Sequence, residues 1–552
     1  MKKGFKKFFR LHVIIITMLT FSLAFVACGG GSSGSSSGGG GGDIEIPSLH
    51  VSTVVELLDA ISDGETRITV DSDITINEDV TIPSGTTIVI PDGVTVTIGS
   101  GKEITFTDGQ ILLEDTGDLK GTINFTLGTE TIDGVVYYSI YTKFGLKEFA
   151  DMVNGGSSSI NGKLMANVAL DKNNLYTKTH ARFGTAGYAI VTDYYYTVDS
   201  MATLWTPIGT GTATVVSSAP VITVAYSFGG IFDGNGHTVS GLYTDVTKTV
   251  QGLFGCVVGG TIKNLTVSGC VAANFSAGGI AAYLESGTVE NCINKANIFT
   301  NGGTTPNGNI ENGVGRAGYV GGIVGLVAGT DNSIDLCTNN AEAIVCANSN
   351  MGGRTGGIIG LVNATTVTGS ITRCLNTAFI DSYQYSGGIV GANFANGFLI
   401  DQCVNAGDVR GHSSGSTYVG GIISQVAGPI TNCYNKGEVR INIDGSGGNK
   451  AAHFGGIASD LNAGATVANC YNIGIIAWGS NATVAPSSVG VIFGGGSSTV
   501  VTNCYAIASS VSTVGATVLS DANLKAAVSQ LGTFFKADTG NINGGFPILT
   551  WQ

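Results

Sequence analysis

Residues 420–439 decide the fold: Gly420-Gly421-Ile422-Ile423-Ser424-Gln425-Val426-Ala427-Gly428-Pro429-Ile430-Thr431-Asn432-Cys433-Tyr434-Asn435-Lys436-Gly437-Glu438-Val439. Three elements stand in this stretch: a Gly-Gly-Ile start, an apolar strand closing on Cys-x-Asn, and a Gly-x-Val. The first recurs at Gly278-Gly279-Ile280, Gly321-Gly322-Ile323, Gly356-Gly357-Ile358, Gly387-Gly388-Ile389 and Gly455-Gly456-Ile457, with a worn copy at Gly490-Val491-Ile492. The second places Cys292, Cys337, Cys374, Cys403, Cys433, Cys470 and Cys504 in equivalent positions. All but the last have an Asn two residues on, at Asn294, Asn339, Asn376, Asn405, Asn435 and Asn472. The third is clearest at Gly407-Asp408-Val409 and Gly437-Glu438-Val439.

Adjacent cysteines of this set lie 29 to 45 residues apart. Self-similarity at such a period marks a solenoid. Three strands of about five residues, each with a turn, fill one repeat. One repeat is then one coil of a right-handed parallel β-helix, with equivalent strands about 4.8 Å apart. Loops of variable length, as at 299–318 and 441–453, fall on one corner. The totals agree: 552 residues are too many for one compact core but not for an axial stack. With 85 Gly, 43% hydrophobic and 12% charged residues, the chain is suited to many short strands and tight turns.

Each recurring element has a physical reason. Gly-Gly suits a sharp turn beside a neighbouring backbone, because Gly lacks Cβ and reaches positive φ without strain. Period-2 alternation puts Cys and Asn on one side of the strand. The Cys is expected inward, a small apolar filler stacked on its equivalent. The Asn either forms an amide ladder or caps its turn locally. With no close Cys pair for metal, and with seven ladder positions that cannot all pair, free buried thiols are expected rather than disulfides.

The flanks read differently. Thr53-Val54-Val55-Glu56 is a capping box opening a helix through Ile61. Alternating strands follow at 68–70, 74–76, 80–82, 88–90, 94–98 and 104–106. Residues 49–140 thus form a cap helix and β-helix strands, and 141–227 an irregular α/β lead-in with a helix near 144–153. The repeats run from 228 to 510. Residues 511–552 form a C-terminal cap, with a helix from Ser520 to Leu531 and with Phe546, Leu549 and Trp551 covering the last coil.

The repeats resemble the GLUG motif of bacterial surface proteins, which also occurs in the non-catalytic region of some immunoglobulin A-cleaving metallopeptidases. The resemblance covers residues 140–552. It includes the lead-in Phe144-Gly145-Leu146-Lys147-Glu148-Phe149-Ala150, the segment Trp205-Thr206-Pro207-Ile208-Gly209, and Phe228 through Leu242. Gly252-Leu253-Phe254-Gly255 carries the apolar residues for which the motif is named. The resemblance implies a pectate-lyase-like β-helix in an extracellular setting and no single activity.

The amino terminus points outward from the cell. Lys2, Lys3, Lys6, Lys7 and Arg10 precede the apolar run Leu11 to Ala27, which ends Ala27-Cys28. This is similar to a bacterial lipoprotein signal, 1–27, with Cys28 as the lipidated residue and 28–48 as a Gly/Ser linker. The expectation is an exported protein held at the outer membrane or cell surface through lipid on Cys28. Formal net charge is -13, which argues against nucleic acid as a partner.

The search for chemistry finds little. None of His12, His50, His180, His237, His412 and His453 is followed by Glu, so the zinc-peptidase signature is missing. Adjacent Asp-Asp, Gly-His-Gly and Arg-x-Lys patterns of polysaccharide-cleaving β-helices are missing too. Asp233-Gly234-Asn235-Gly236-His237 suggests a calcium loop but reads better as two turn dipeptides. Tyr194-Tyr195-Tyr196 and Trp205 offer sugar-stacking rings, with packing the simpler reading. Neither a catalytic residue, a metal nor a cofactor is assigned. The reading is a non-enzymatic surface module, an adhesion or binding scaffold or a spacer, with an extracellular glycan or a host or matrix protein as partner. Its rival is a carbohydrate-active β-helix enzyme, a lyase or glycoside hydrolase, without a recognisable motif.

Overall fold

The computed structural model describes residues 48–114, 117–170, 204–216, 219–300, 318–347, 353–364, 366–382, 384–413, 417–443, 452–478, 488–496, 500–507 and 516–552. The signal segment, Cys28, the linker, Tyr194 to Tyr196 and most of the two variable insertions lie outside them.

The repeats form a parallel β-helix. One coil runs Tyr319–Gly321, Val324–Ala328, Asn332–Asp335, Thr338–Asn339 and Ile344–Ala347. We call the sheets built from the first three of these sheets 1, 2 and 3; the last two strands both belong to sheet 4. Equivalent strands pair in parallel, with one register shift in the first coil between Val239 and Leu242. Gly278 is followed down one register line by Gly321, Gly356, Gly387, Gly420, Gly455 and Gly490. The spacing suggested three strands per coil; the chain makes five, because the Gly-Gly corner and the turn after Asn each interrupt a side. Inward columns such as Val289, Ile334, Ile371, Ile400, Ile430 and Val467 are fully buried in one continuous core.

The Gly-Gly pairs do not use positive φ, contrary to half of the reason given above. Positive φ falls instead on the residue before each ladder Cys: Asn291, Leu336, Arg373, Gln402, Asn432, Asn469 and Asn503. The pairs are needed for the other half of the reason, the missing Cβ. A Cβ on Gly279 would overlap the Asn294 side chain and the Gly322 carbonyl oxygen, the latter at 2.5 Å. The second glycine of every complete pair meets its own coil's Asn in this way. In the last coil Gly-Gly becomes Gly490-Val491, and the matching Asn becomes Ala506. The two elements therefore change together.

The Asn side chains do both things left open above. Nδ2 of each donates to Oδ1 of the next coil's Asn, from Asn294 through Asn339, Asn376, Asn405 and Asn435 to Asn472, at 2.7–2.9 Å. Asn294, Asn376 and Asn472 also grip their own turns, accepting from the N–H two residues on and donating to the carbonyl there. A row of buried amides is tolerable only when each is paired, and here each finds a neighbour, while Asn294, Asn376, Asn405, Asn435 and Asn472 also bond a turn carbonyl.

Residues 48–126 form a smaller parallel solenoid with its own core and three sheets that it does not share with the repeats. The capping box Thr53–Glu56 opens α1 (Val54–Ser62), which buries Leu57 and Ala60 on that core. The two solenoids meet across α2 (Lys143–Asn154). Phe144 packs toward the first core, while Phe149 packs edge-on against Phe228 and Phe232 of the second. Asp108, from the first solenoid, accepts from the Tyr141 N–H and the Thr142 hydroxyl, and Thr142 in turn caps α2. Lys143 adds an ion pair to Asp118 at 2.8 Å.

The tail departs from expectation. The single helix from Ser520 to Leu531 is two short ones, α3 (Asp521–Lys525) and α4 (Val528–Leu531). The chain then folds back along the outer flank of sheet 4 rather than over the last coil. Leu549 packs with Val404, Tyr434 and Tyr471, and Trp551 Nε1 donates to the Gln402 carbonyl at 3.0 Å. The reason lies one residue after the ladder Cys. That side chain faces outward, and in the last coils it becomes Val404, Tyr434, Tyr471 and Tyr505, an apolar strip that must be covered.

Candidate functional site

The ladder cysteines are brought together as a column inside the core. Cys292, Cys337, Cys374, Cys403, Cys433, Cys470 and Cys504 are buried and free. The Cys403 N–H points at Cys433 Sγ at 3.3 Å, and the Cys433 N–H at Cys470 Sγ at 3.4 Å. Burial pushes the thiols of Cys292, Cys374 and Cys433 up, and the column, small and fully enclosed, serves as a filler of the core. Cys256, Cys270 and Cys346 are also buried and form no disulfide, outside the column. Burial, helped by Glu285, pushes Cys256 up to about 12.

Other residues singled out in the sequence have structural partners. Asp233 faces Lys263 at 3.6 Å and accepts from Asn264 and from the Asn235 N–H. Asn235 and Gly236 both have positive φ, the turn dipeptide reading. Trp205 is buried and donates from Nε1 to the Leu253 carbonyl at 3.0 Å, so its role is packing. Asp335 pairs with Arg373 and accepts from Thr372, while Asp401 accepts from Thr431, Asn432 and Gln402. These carboxylates are tied into ladders along the sheet 3 edge. Among the described residues no three His, Cys, Asp or Glu side chains gather as a metal site.

The chemically richest outward surface lies at the Gly-Gly corner, which bends back on itself. A Cβ on Gly360 of sheet 2 would strike Val320 N of sheet 1, one coil away, at 2.6 Å. Gly325 similarly faces Ser276 Oγ and Ala282 O. The outer faces of sheets 1 and 2 therefore press together, and the side chains just outside that contact form two facing columns. Sheet 1 supplies Tyr319, Arg354, Tyr385, Tyr418 and His453 in register. Sheet 2 supplies Tyr283, Leu326, Leu361, Ala392, Gln425 and Asp460.

The sheet 1 column is one continuous stack. The Arg354 guanidinium lies 5.7 Å from the Tyr319 ring and 4.8 Å from the Tyr385 ring, a cation held between two π faces. Tyr385 and Tyr418 stack at 4.9 Å with planes 2° apart, and Tyr418 and His453 at 4.8 Å. The ring spacing equals that of the coils, so the stack follows from register alone. Burial pushes the Tyr418 phenol up, with Tyr385 and Asp460 adding to it. The opposing column grades from apolar Leu326 and Leu361 to polar Gln425 and Asp460. An antiparallel hairpin, Thr210–Val216 with Ala219–Tyr226, covers its first coils; Ala213, Ile222 and Val224 pack there with Cys256 and Tyr283. The column escaped sequence reading, although it is spelled there as an aromatic or Arg two residues before Gly-Gly.

No family model matches the chain, and no curated protein matches it. Among solved structures, it is similar to a candidate immunoglobulin A1 protease from Bacteroides ovatus, with 17% identity and a TM-score of 0.34, over 76% of this chain and 94% of that one.

Proposed function

We propose that this protein is a non-enzymatic surface scaffold that binds an extracellular partner, held to the cell by lipid on Cys28 and lifted from it by the Gly/Ser linker. The observation that carries the reading is the outward π–cation stack at the Gly-Gly corner. Toward its later coils it presents aromatic edges and hydroxyls opposite the polar Gln425 and Asp460, without joining them to a paired set of acid and base. The stack's ring faces are taken up by one another, so it offers edges and its end rather than broad platforms for sugars. The rigid core behind it favours recognition, because little ordering cost is left at binding.

The test uses intact purified protein on a glycan and matrix-protein array, beside a depolymerase screen over pectins, alginates and host glycans. A specific ligand, lost in Tyr418→Ser without unfolding, supports the scaffold. Robust turnover of any polymer ends it in favour of the carbohydrate-active enzyme. Labelling with a palmitate analogue, lost in Cys28→Ser, tests the anchor.

A further inference from the structure

Sheet 3 extends past the repeats at its amino-terminal end. Its outermost strand is Gly128–Ile132, joined antiparallel to Val135–Ile140 by the turn Asp133-Gly134, in which both residues have positive φ. Such a two-residue turn puts the residues flanking it, here Ile132 and Val135, in a hydrogen-bonded pair, and pairing alternates along the strands from there. Glu130 then exchanges backbone bonds with Tyr137, while Thr129 and Thr131 turn their N–H and C=O away from the partner strand. The bonding on the far side of that partner agrees. The Tyr138 N–H donates to the Asn161 carbonyl at 2.8 Å, and the Val136 carbonyl accepts from Asn161 Nδ2 at 3.0 Å. Tyr138 and Val136, which stand opposite Thr129 and Thr131, thus direct these groups away from them.

Among the described residues no strand pairs with the free side of Gly128–Ile132, and Thr129, Thr131 and Ile132 are exposed. Proteins guard such edges with Lys, Pro or a bulge. This strand has none of them: its register runs unbroken from Gly128 opposite Ser139 to Ile132 opposite Val135, and its one charge, Glu130, faces Lys163 at 3.0 Å. The surrounding charge is one-sided. Residues 48–134, the first solenoid and this strand with its turn, hold 16 Asp and Glu against 3 Lys and Arg. We propose that this edge takes up an extended segment of a partner protein, rich in lysine or arginine, as one more strand of sheet 3. Backbone bonds to Thr129 and Thr131 hold the segment, and the acidic first solenoid selects its basic side chains. A second copy of the chain is the poorer occupant, because edge-to-edge pairing would bring two acidic solenoids together. The edge lies apart from the Gly-Gly corner and goes beyond the scaffold reading, which rests on the stack.

The experiment titrates intact protein into the fluorescein-labelled peptide Lys-Val-Lys-Thr-Lys-Val-Lys, read by anisotropy, with hydrogen exchange following residues 128–132. Saturable binding with new protection of the Thr129 and Thr131 amides is expected. A glutamate-for-lysine version, and a version with every backbone amide N-methylated, should each bind at least ~5-fold more weakly, the effect of one lost contact. Thr131→Pro removes an outward N–H without touching the bonds to Val135–Ile140 and should weaken binding by a similar factor. The N-methylated peptide asks the same question of unaltered protein. No binding of the lysine peptide, equal binding of either analogue, or full binding by Thr131→Pro overturns the proposal. So does a concentration-dependent dimer that Thr131→Pro abolishes, which would make a second copy the occupant. In any of these events a ligand on the array that is lost in Tyr418→Ser leaves the scaffold standing.

Discussion

Replacing Asn405 by Ala should be among the most damaging single changes in the repeats. Asn405 sits in mid-ladder, fully buried. Its Oδ1 accepts from Asn376 at 2.8 Å; its Nδ2 donates to Asn435 Oδ1 at 2.7 Å and to the Gly407 carbonyl at 2.8 Å. Truncation to Ala removes all three bonds. The Asn376 amide keeps Ala378 O as a partner, but Asn435 Oδ1 and Gly407 O lose theirs inside the core. At roughly 1–3 kcal/mol for each buried group left unpaired, the expected cost is about 2–6 kcal/mol before any cavity term. Asn472→Ala provides the internal comparison. It lies at the ladder's end, where the next coil already carries Ala506, and Asn435 keeps its bond to Gly437 O. It strands the Gly474 carbonyl and N–H, but Gly474 is half-buried where Gly407 and Asn435 are buried, so water can serve its turn and the cost should be at least ~1 kcal/mol less. Urea unfolding of both variants, with hydrogen exchange resolving the coils around residues 374–440, measures the difference. Because each coil contacts only its neighbours, protection should fall first near the substitution. Equal costs for the two variants would refute the claim that continuity of the amide row holds the coils in register.

Further outcomes follow from the same geometry. Gly357→Ala places a Cβ against the Gly388 carbonyl and the Asn376 amide, and should lower stability by about 3 kcal/mol in thermal unfolding, the upper range for overpacking. Leu336 holds φ at +53° where four other coils use Asn; Leu336→Asn should raise stability by up to about 1 kcal/mol, read as a higher Tm. Burial, partly offset by the Thr142 hydroxyl, raises the Asp108 carboxyl. With the folded value above the unfolded one, its contribution is full below the ordinary carboxylate range and is lost as pH rises through the raised value. Wild type should therefore lose Tm relative to Asp108→Asn as pH rises above the ordinary Asp value of about 3.9. The ladder thiols should resist iodoacetamide in native protein and react after unfolding, as mass spectrometry of unreduced samples will show; internal disulfides would contradict the column.

Much of the architecture was legible because solenoid repeats write their contacts into fixed positions. Cys-x-Asn marked an inward pair, Gly-Gly a crowded corner, and Thr53-Val54-Val55-Glu56 a capped helix; all three appear where the residues put them. What was not legible depended on packing between faces. That sheets 1 and 2 press their outer sides together is a property of the corner angle, so the sequence reading did not bring Tyr385, Tyr418 and His453 together. Cover along the flank was hidden for a similar reason. Tyr434, Tyr471 and Tyr505 form an outward apolar strip, and only the folded tail shows what lies on it. The partition into two solenoids turned on α2, whose Phe144 and Phe149 face opposite cores.

The coupling of each corner glycine to the asparagine of its own coil also governs how such a protein can vary in size. Neither residue tolerates change alone, and the amide row admits no half-steps. The shaft can lengthen or shorten only by whole turns, with the ends left as they are. Its length is thus quantised, and duplication or loss of one unit offers a lineage a change of reach without a redesign of what the shaft carries.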